Sequence, residues 1–74
     1  MNDTFFIETN GQKVKCKIHF AFNKNNINYI VYTDYVDEFL ASRYKIENNN
    51  IVIKPIETEE EWNIIDKEIS ERYG

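Results

Sequence analysis

Asn10-Gly11 is the feature that most constrains the fold, because it lies between two runs in which apolar and polar residues alternate. A two-residue turn of this composition accepts the positive φ angles that a tight hairpin requires. With the turn in place, Thr9 faces Gln12 and Phe5 faces Cys16. We therefore predict an antiparallel β-hairpin at the start of the chain.

The two faces of this hairpin follow from its period of two, since alternate side chains of a strand lie on the same side of the sheet. The predicted apolar face contains Phe5, Ile7, Val14, Cys16, Ile18, Phe20 and Phe22. The other face contains Glu8, Lys13, Lys15, Lys17 and His19. A four-residue loop over 23–26 would then place Phe22 opposite Ile27 and Phe20 opposite Tyr29, and apolar residues would meet apolar residues.

Three further segments complete the predicted sheet. NYIVYT, residues 28–33, is rich in β-branched and aromatic residues and is typical of a strand. Residues 39–46 contain good helix formers, but the segment is short and leads into an asparagine turn, which favours a strand. With Asn48-Asn49 as that turn, Ile46 faces Ile51, and Pro55 ends the last strand.

The stretch PIETEEEWNII predicts the start of a helix. Thr58 is a good N-cap, and Glu61 three residues later completes a capping box. Successive helical residues point about 100° apart, so the neighbouring glutamates do not converge on a metal ion. An apolar stripe follows at Trp62, Ile65, Ile69 and Tyr73.

These elements predict an α+β fold, an antiparallel four- to five-stranded β-meander with one C-terminal α-helix packed on one face. The 74 residues form a single small domain, with the sheet over 4–54 and the helix over 58–73.

Composition excludes several classes of function. The only cysteine, Cys16, cannot form an internal disulfide, and we see neither a signal peptide nor an apolar run long enough for a membrane span. We therefore expect a cytoplasmic protein. The two glycines do not lie in a phosphate-binding loop, and zinc or EF-hand spacings are absent, so we expect no cofactor, no metal and no small-molecule substrate.

His19 and Cys16 are the residues most capable of catalysis, and the predicted register places them on opposite faces of one strand. A buried cysteine usually behaves as a small hydrophobe, and a histidine without a converging carboxylate lacks a catalytic partner. We predict that the protein is not an enzyme.

The segments YIVYTD, ASRY and PIETEEEWNII, in this order, resemble the domain-of-unknown-function family 1292 of small bacterial proteins. The resemblance covers nearly the whole chain and does not contain a catalytic signature. It implies a small cytoplasmic bacterial accessory protein, and it implies no activity.

Charge segregation is the remaining signal. The predicted registers place Lys13, Lys15, Lys17, His19, Arg43, Lys45 and Lys54 on one sheet face, interleaved with Phe6, Ile30, Tyr32, Phe39 and Val52. The helix is expected to cover the opposite face.

Exposed aromatic and β-branched residues rimmed by charge are typical of interaction surfaces, so we predict an adaptor or regulatory protein that binds another protein, which could be a second copy of the chain. The predicted contact residues are Phe6, Lys15, Lys17, His19, Ile30, Tyr32, Arg43 and Lys45. Cations beside aromatic rings also suit single-stranded nucleic acid, which stays as the alternative partner although the net charge is −4.

Overall fold

Five strands and one helix follow one another along the chain. The structure, a computed structural model, describes residues 4–9, 11–34 and 38–73. Its elements are β1 (Thr4–Thr9), β2 (Gln12–Lys24), β3 (Ile27–Thr33), β4 (Phe39–Glu47), β5 (Asn50–Lys54) and α1 (Glu59–Tyr73). The strands form one antiparallel sheet in the order β1-β2-β3-β4-β5, which confirms the predicted α+β meander with its C-terminal helix. The ambiguous segment over 39–46 is a strand.

Two-residue turns with positive φ connect β2 to β3 and β4 to β5. The φ angles are 54° and 66° at Asn25 and Asn26, and 49° and 67° at Asn48 and Asn49. Asparagine tolerates this left-handed conformation better than other residues with a side chain. At the first hairpin Gly11 has a φ of 75°, whereas Asn10 lies outside the described residues.

The registers of the first and last hairpins are as predicted, with Phe5 opposite Cys16 and Ile46 opposite Ile51. The predicted register between β2 and β3 is wrong. Because the turn contains two residues and not four, Phe22 pairs with Tyr29 and not with Ile27.

A β-bulge interrupts β2 between Ile18 and Phe20. A bulge adds one residue to a strand and so changes which face the following side chains occupy. Cys16 and Ile18 therefore lie on one side of the sheet, whereas Phe20 and Phe22 lie on the other. The prediction that all of these residues share one face is wrong.

The sheet curls until its two edge strands, β1 and β5, approach each other with Cα atoms within 8 Å. Its inner face is filled by a cluster whose buried members are Phe5, Cys16, Ile30 and Tyr32. The hydroxyls of Tyr32 and Ser42 lie 2.9 Å apart within this layer, which satisfies both polar groups.

Helix α1 packs on the outer face of the sheet, where the second cluster contains the buried residues Phe20, Tyr29, Val31 and Ile65. Direct strand partners lie on the same face, and Tyr29 pairs with Arg43, which in turn pairs with Lys54. The helix therefore covers part of the face that the sequence had predicted to be open. This expectation is wrong because the bulge moves the aromatic residues of β2 to that face.

The start of α1 has the predicted capping box. The Glu61 amide donates to Thr58 Oγ1 over 3.2 Å, and the Thr58 amide donates to Glu61 Oε1 over 3.1 Å. Ile65 is buried against the sheet, but Trp62 of the predicted stripe remains 44% exposed. The buried side of the helix is centred on Glu61 and Ile65.

Candidate functional site

Two of the predicted contact residues lie inside the molecule. Ile30 is 1% exposed and Tyr32 is 4% exposed, and both belong to the inner cluster. The sequence placed them on an open face because it did not reveal the bulge or the curl of the sheet. Neither side chain can contact a partner at the surface, so their predicted exposure is wrong.

Arg43 is held by the start of the helix. Its Nε and Nη2 atoms donate to the two carboxylate oxygens of Glu61 over 2.6 and 2.8 Å, and Nη1 donates to Glu57 over 3.3 Å. Tyr29 adds a hydrogen bond from its hydroxyl to Glu61 Oε2 over 2.9 Å. A two-point arginine–carboxylate pair fixes both position and orientation. Arg43 therefore fastens α1 to β4.

The Glu61 carboxylate is nearly surrounded by donors, since the amides of Glu57 and Thr58 and the Thr58 hydroxyl also lie within 3.2 Å of it. The hydrogen bonds from Arg43 lower the pKa of Glu61 to about 2, against the opposing effect of burial. The same pairing raises the pKa of Arg43. The buried Tyr29 hydroxyl has a raised pKa, first because of burial and then because of Glu61, so it stays a donor.

His19 lies at the bulge and is only partly exposed. Its Nε2 is 3.1 Å from Thr33 Oγ1, and its ring lies 4.9 Å from that of Phe39 and 6.3 Å from that of Tyr73. These contacts give His19 a structural role between β2, β3 and the end of the helix. It is less accessible than an exposed strand histidine.

The exposed remainder of the predicted face lies on β1 and β2, beyond the helix. Phe6 is 59% exposed and pairs directly with Lys15, while Lys13 and Lys17 occupy the next positions on the same face. We call Phe6, Lys13, Lys15 and Lys17 the basic surface. It is an aromatic ring beside a row of ammonium groups, and Glu8 is the strand partner of Lys13.

Lys45 lies on the other side of the same outer face, on β4. Its Nζ is 2.7 Å from Glu47 Oε2, which raises the pKa of the lysine and lowers that of the glutamate. Both groups are exposed, so this pair contributes little to stability.

A cleft of about 740 Å³ opens between β1 and β5, where the sheet stops short of closing into a barrel. We call it the edge cleft. Residues 4–7 and 49–53 line its two sides, and Lys13 of the basic surface lines it as well. The cleft and the basic surface are therefore continuous.

A smaller groove of about 310 Å³ lies between α1 and β4. Phe39 and Trp62, both about half exposed, lie on its two sides, with Ile65, Ile69 and Asp66 along the helix. Sequence reasoning missed it because Trp62 was assigned to the packed stripe. The capping box was the sequence signal that could have revealed this groove. When Glu61 is buried against the sheet, the next residue, Trp62, points toward the edge of the interface between α1 and the sheet.

Within the described ranges, the His, Cys, Asp and Glu side chains do not form a group of three or more that could hold a metal ion. In the same ranges, no helix has both the length and the apolar character needed to cross a membrane.

The family model of DUF1292, described as a protein of unknown function, matches residues 9–74. The chain belongs to this family. Searches of the curated proteins and of the solved structures found no match. Membership of DUF1292 assigns no activity, so the residues must be interpreted from their geometry.

The segments that carry the resemblance to DUF1292 meet in three dimensions. Tyr29 comes from YIVYTD, Arg43 from ASRY and Glu61 from PIETEEEWNII, and these three side chains form the network at the helix start. Tyr32 and Ser42, from the first two segments, lie within hydrogen-bonding distance of each other inside the sheet. These segments therefore specify the fold, and a binding surface is better sought elsewhere on the molecule.

Proposed function

We propose that the chain is a small non-enzymatic adaptor that binds another protein through its basic surface. The observation that carries the proposal is Phe6, a ring 59% exposed that has Lys13, Lys15 and Lys17 beside it on the neighbouring strand of the same face. Large apolar groups rimmed by charge are typical of interaction surfaces. The lysines favour an acidic partner and would speed its approach.

The condition of the reactive side chains supports a binding role over a catalytic one. Arg43 and Tyr29 use their polar groups in hydrogen bonds to Glu61. His19 is held between Thr33 and the rings of Phe39 and Tyr73. Burial, followed by the charge of Asp34, raises the pKa of the Cys16 thiol, which disfavours the reactive thiolate. A single cysteine without a disulfide also suits the cytoplasm, where we place the protein.

Single-stranded nucleic acid is a second candidate for the same surface. Phe6 offers a face for base stacking, and the lysines on β2 could track a phosphate backbone. Binding of this kind falls steeply as the salt concentration rises. Titration of a labelled oligonucleotide at two salt concentrations tests it, and absence of binding at low salt rejects this candidate.

The adaptor proposal is tested by affinity purification from a cytoplasmic extract, with and without nuclease, using paired charge reversals. Lys15→Glu/Lys17→Glu changes the basic surface. Lys24→Glu/Lys67→Glu is the matched control, because it makes the same change in net charge at exposed lysines elsewhere. Circular dichroism verifies that both variants fold.

We expect the wild type and the control to capture the same protein, with or without nuclease, and the surface variant to lose it. Capture that disappears after nuclease treatment would favour the nucleic-acid candidate. Equal capture by all three chains would show that the basic surface is not the contact.

A further inference from the structure

The two strands that border the edge cleft run in the same direction. Four successive antiparallel pairings join β1 to β5, so the first and fifth strands are parallel to each other. Among the described residues, no strand pairing connects them. A chain segment placed between them could run antiparallel to both and complete a six-stranded barrel.

The turns determine which backbone groups face the edge cleft. In a two-residue hairpin the residues beside the turn exchange hydrogen bonds, and every second residue then points its N–H and C=O groups away from its partner strand. Counting from the turns gives Phe6 on β1 and Ile51 and Ile53 on β5. Both sides of the cleft therefore present backbone groups that suit an extended peptide.

The side chains around the edge cleft differ between its two faces. On the inner face Phe5, Ile7, Ile51 and Ile53 belong to the inner cluster. By register, the outer-face positions of the bordering strands are Phe6 and Glu8 of β1 and Val52 and Lys54 of β5; Lys13 of β2 lines the cleft as well, and Lys15 and Lys17 lie one strand away. A strand in the cleft would thus have alternate residues against the apolar inner face and, on the outer face, near lysines.

We propose that the edge cleft binds an extended segment of the partner protein as a sixth strand, with apolar residues at every second position and acidic residues between them. This inference rests on the proposed function and names the chemistry of the segment recognised. The apolar residues occupy the open space of the edge cleft beside Phe5, Ile7, Ile51 and Ile53, and the acidic residues face the lysines. The backbone supplies affinity, and the alternation supplies specificity.

The spacing of the sheet sets a condition on this binding. Neighbouring strands lie about 4.8 Å apart, so a strand between two others needs about 9.6 Å. Cα atoms of β1 and β5 come within 8 Å of each other, so the two edges must separate by at least about 2 Å at that point. Each edge is joined to the sheet on one side only, which leaves it free to move in this way.

The test uses a labelled peptide of seven residues in which glutamate and valine alternate, with both ends capped. Two controls accompany it. One has the same composition arranged as a glutamate block followed by a valine block, and the other has the alternating order with every valine N-methylated. The block peptide keeps the charge of the alternating peptide but loses the alternation. The N-methylated peptide keeps both and loses the valine N–H donors, which lie along one side of the extended chain.

We expect the alternating peptide to bind, as measured by fluorescence anisotropy, and both controls to bind at least about tenfold more weakly. The block order places glutamates against the apolar inner face, and N-methylation removes the donors to the carbonyls of Ile51 and Ile53. Lys13→Glu should weaken binding of the alternating peptide, and the matched variant Lys67→Glu should not. Hydrogen exchange should show new protection at the amides of Phe6, Ile51 and Ile53.

Two results overturn the inference, namely no binding of the alternating peptide or equal binding of all three peptides. Equal binding that is lost in Lys15→Glu/Lys17→Glu would leave the basic surface as a charge-based contact, so the proposed function would survive without the sixth strand. If Lys15→Glu/Lys17→Glu captured the partner protein from extracts as well as the wild type does, the proposed function itself would be rejected.

Discussion

Replacing Tyr29 by phenylalanine tests whether the network at the helix start holds the fold together. The change removes one hydroxyl, whose hydrogen bond to Glu61 Oε2 measures 2.9 Å, and leaves a ring that is buried between the sheet and α1. A hydrogen bond to a charged group contributes about 1.5–3 kcal/mol. The carboxylate keeps its bonds to Arg43 and to the backbone, so we expect a loss of about 2 kcal/mol.

This loss is large for so small a domain. At about 0.05–0.15 kcal/mol per residue, 74 residues give a free energy of unfolding of roughly 4–11 kcal/mol. With a urea dependence of about 1 kcal/mol per molar, the unfolding midpoint should fall by about 2 M. Urea titration followed by circular dichroism and by fluorescence of the half-exposed Trp62 measures it.

Two further variants make the reasoning refutable. Tyr44→Phe removes a hydroxyl from a half-buried tyrosine that forms no hydrogen bond to the described residues, so it should cost much less. In a Glu61→Gln background the acceptor is neutral, and Tyr29→Phe should then cost about 1 kcal/mol or less. An equal loss in both backgrounds, or a loss below about 0.5 kcal/mol in the wild type, would show that the network does not act as described.

Three other predictions follow from burial and ionisation. Ile65→Ala, at a residue 1% exposed, should destabilise the fold by about 2–5 kcal/mol in urea unfolding, while Ile46→Ala, 60% exposed, should cost well under 1 kcal/mol; equal effects would contradict the packing. The pKa of Glu61 in the folded protein is about 2, against an ordinary 4.5. The stabilisation from ionised Glu61 is therefore complete above pH 4.5 and is lost as the pH falls toward 2. Glu61→Gln should flatten the acid unfolding curve between these pH values, and an unchanged curve would refute the assignment. Cys16 should react with a thiol reagent only at the rate of unfolding, and rapid reaction under native conditions would contradict its burial.

The sequence predicted the elements well because their signals are local. Gly11, Asn48 and Asn49 have positive φ angles that few residues tolerate, and the registers of the first and last hairpins follow from the turns that these residues mark. The capping box at Thr58 and Glu61 marked the start of the helix within one residue, since 58 was predicted and α1 begins at Glu59. Each of these signals spans at most four residues.

The parts that failed depend on contacts distant in sequence. A bulge at His19 is not marked by a glycine or a proline, and the His19 side chain there contacts Thr33, Phe39 and Tyr73 at the end of the helix. Periodicity therefore predicted one continuous face where there are two. Because the bulge was missed, the predicted face for α1 and the predicted exposure of Ile30 and Tyr32 were both wrong. Ile30 and Tyr32 were part of the predicted contact surface.

The position of Phe6, Lys15 and Lys17 on one face could be predicted from the sequence for a simple reason. Phe6, Lys15 and Lys17 lie on the N-terminal side of the bulge, where the register counted from Asn10-Gly11 holds. The ion pair of Arg43 could not be predicted, because nothing local to β4 reveals that a glutamate 18 residues later will reach it. This ion pair forms only once α1 has packed on the sheet.

The extra residue at the bulge also governs how this chain can change in length. Deleting His19 would restore simple alternation along β2 and send Phe20 and Phe22 to the inner face, which is already filled. Tyr29 and Val31 would then lose their neighbours from β2 beneath the helix. Deleting one residue at this position would thus move two aromatic side chains from the outer face of the sheet to the inner face. We expect chains of this architecture to tolerate length variation in the connection after β3 and to keep the residue count of β2 fixed.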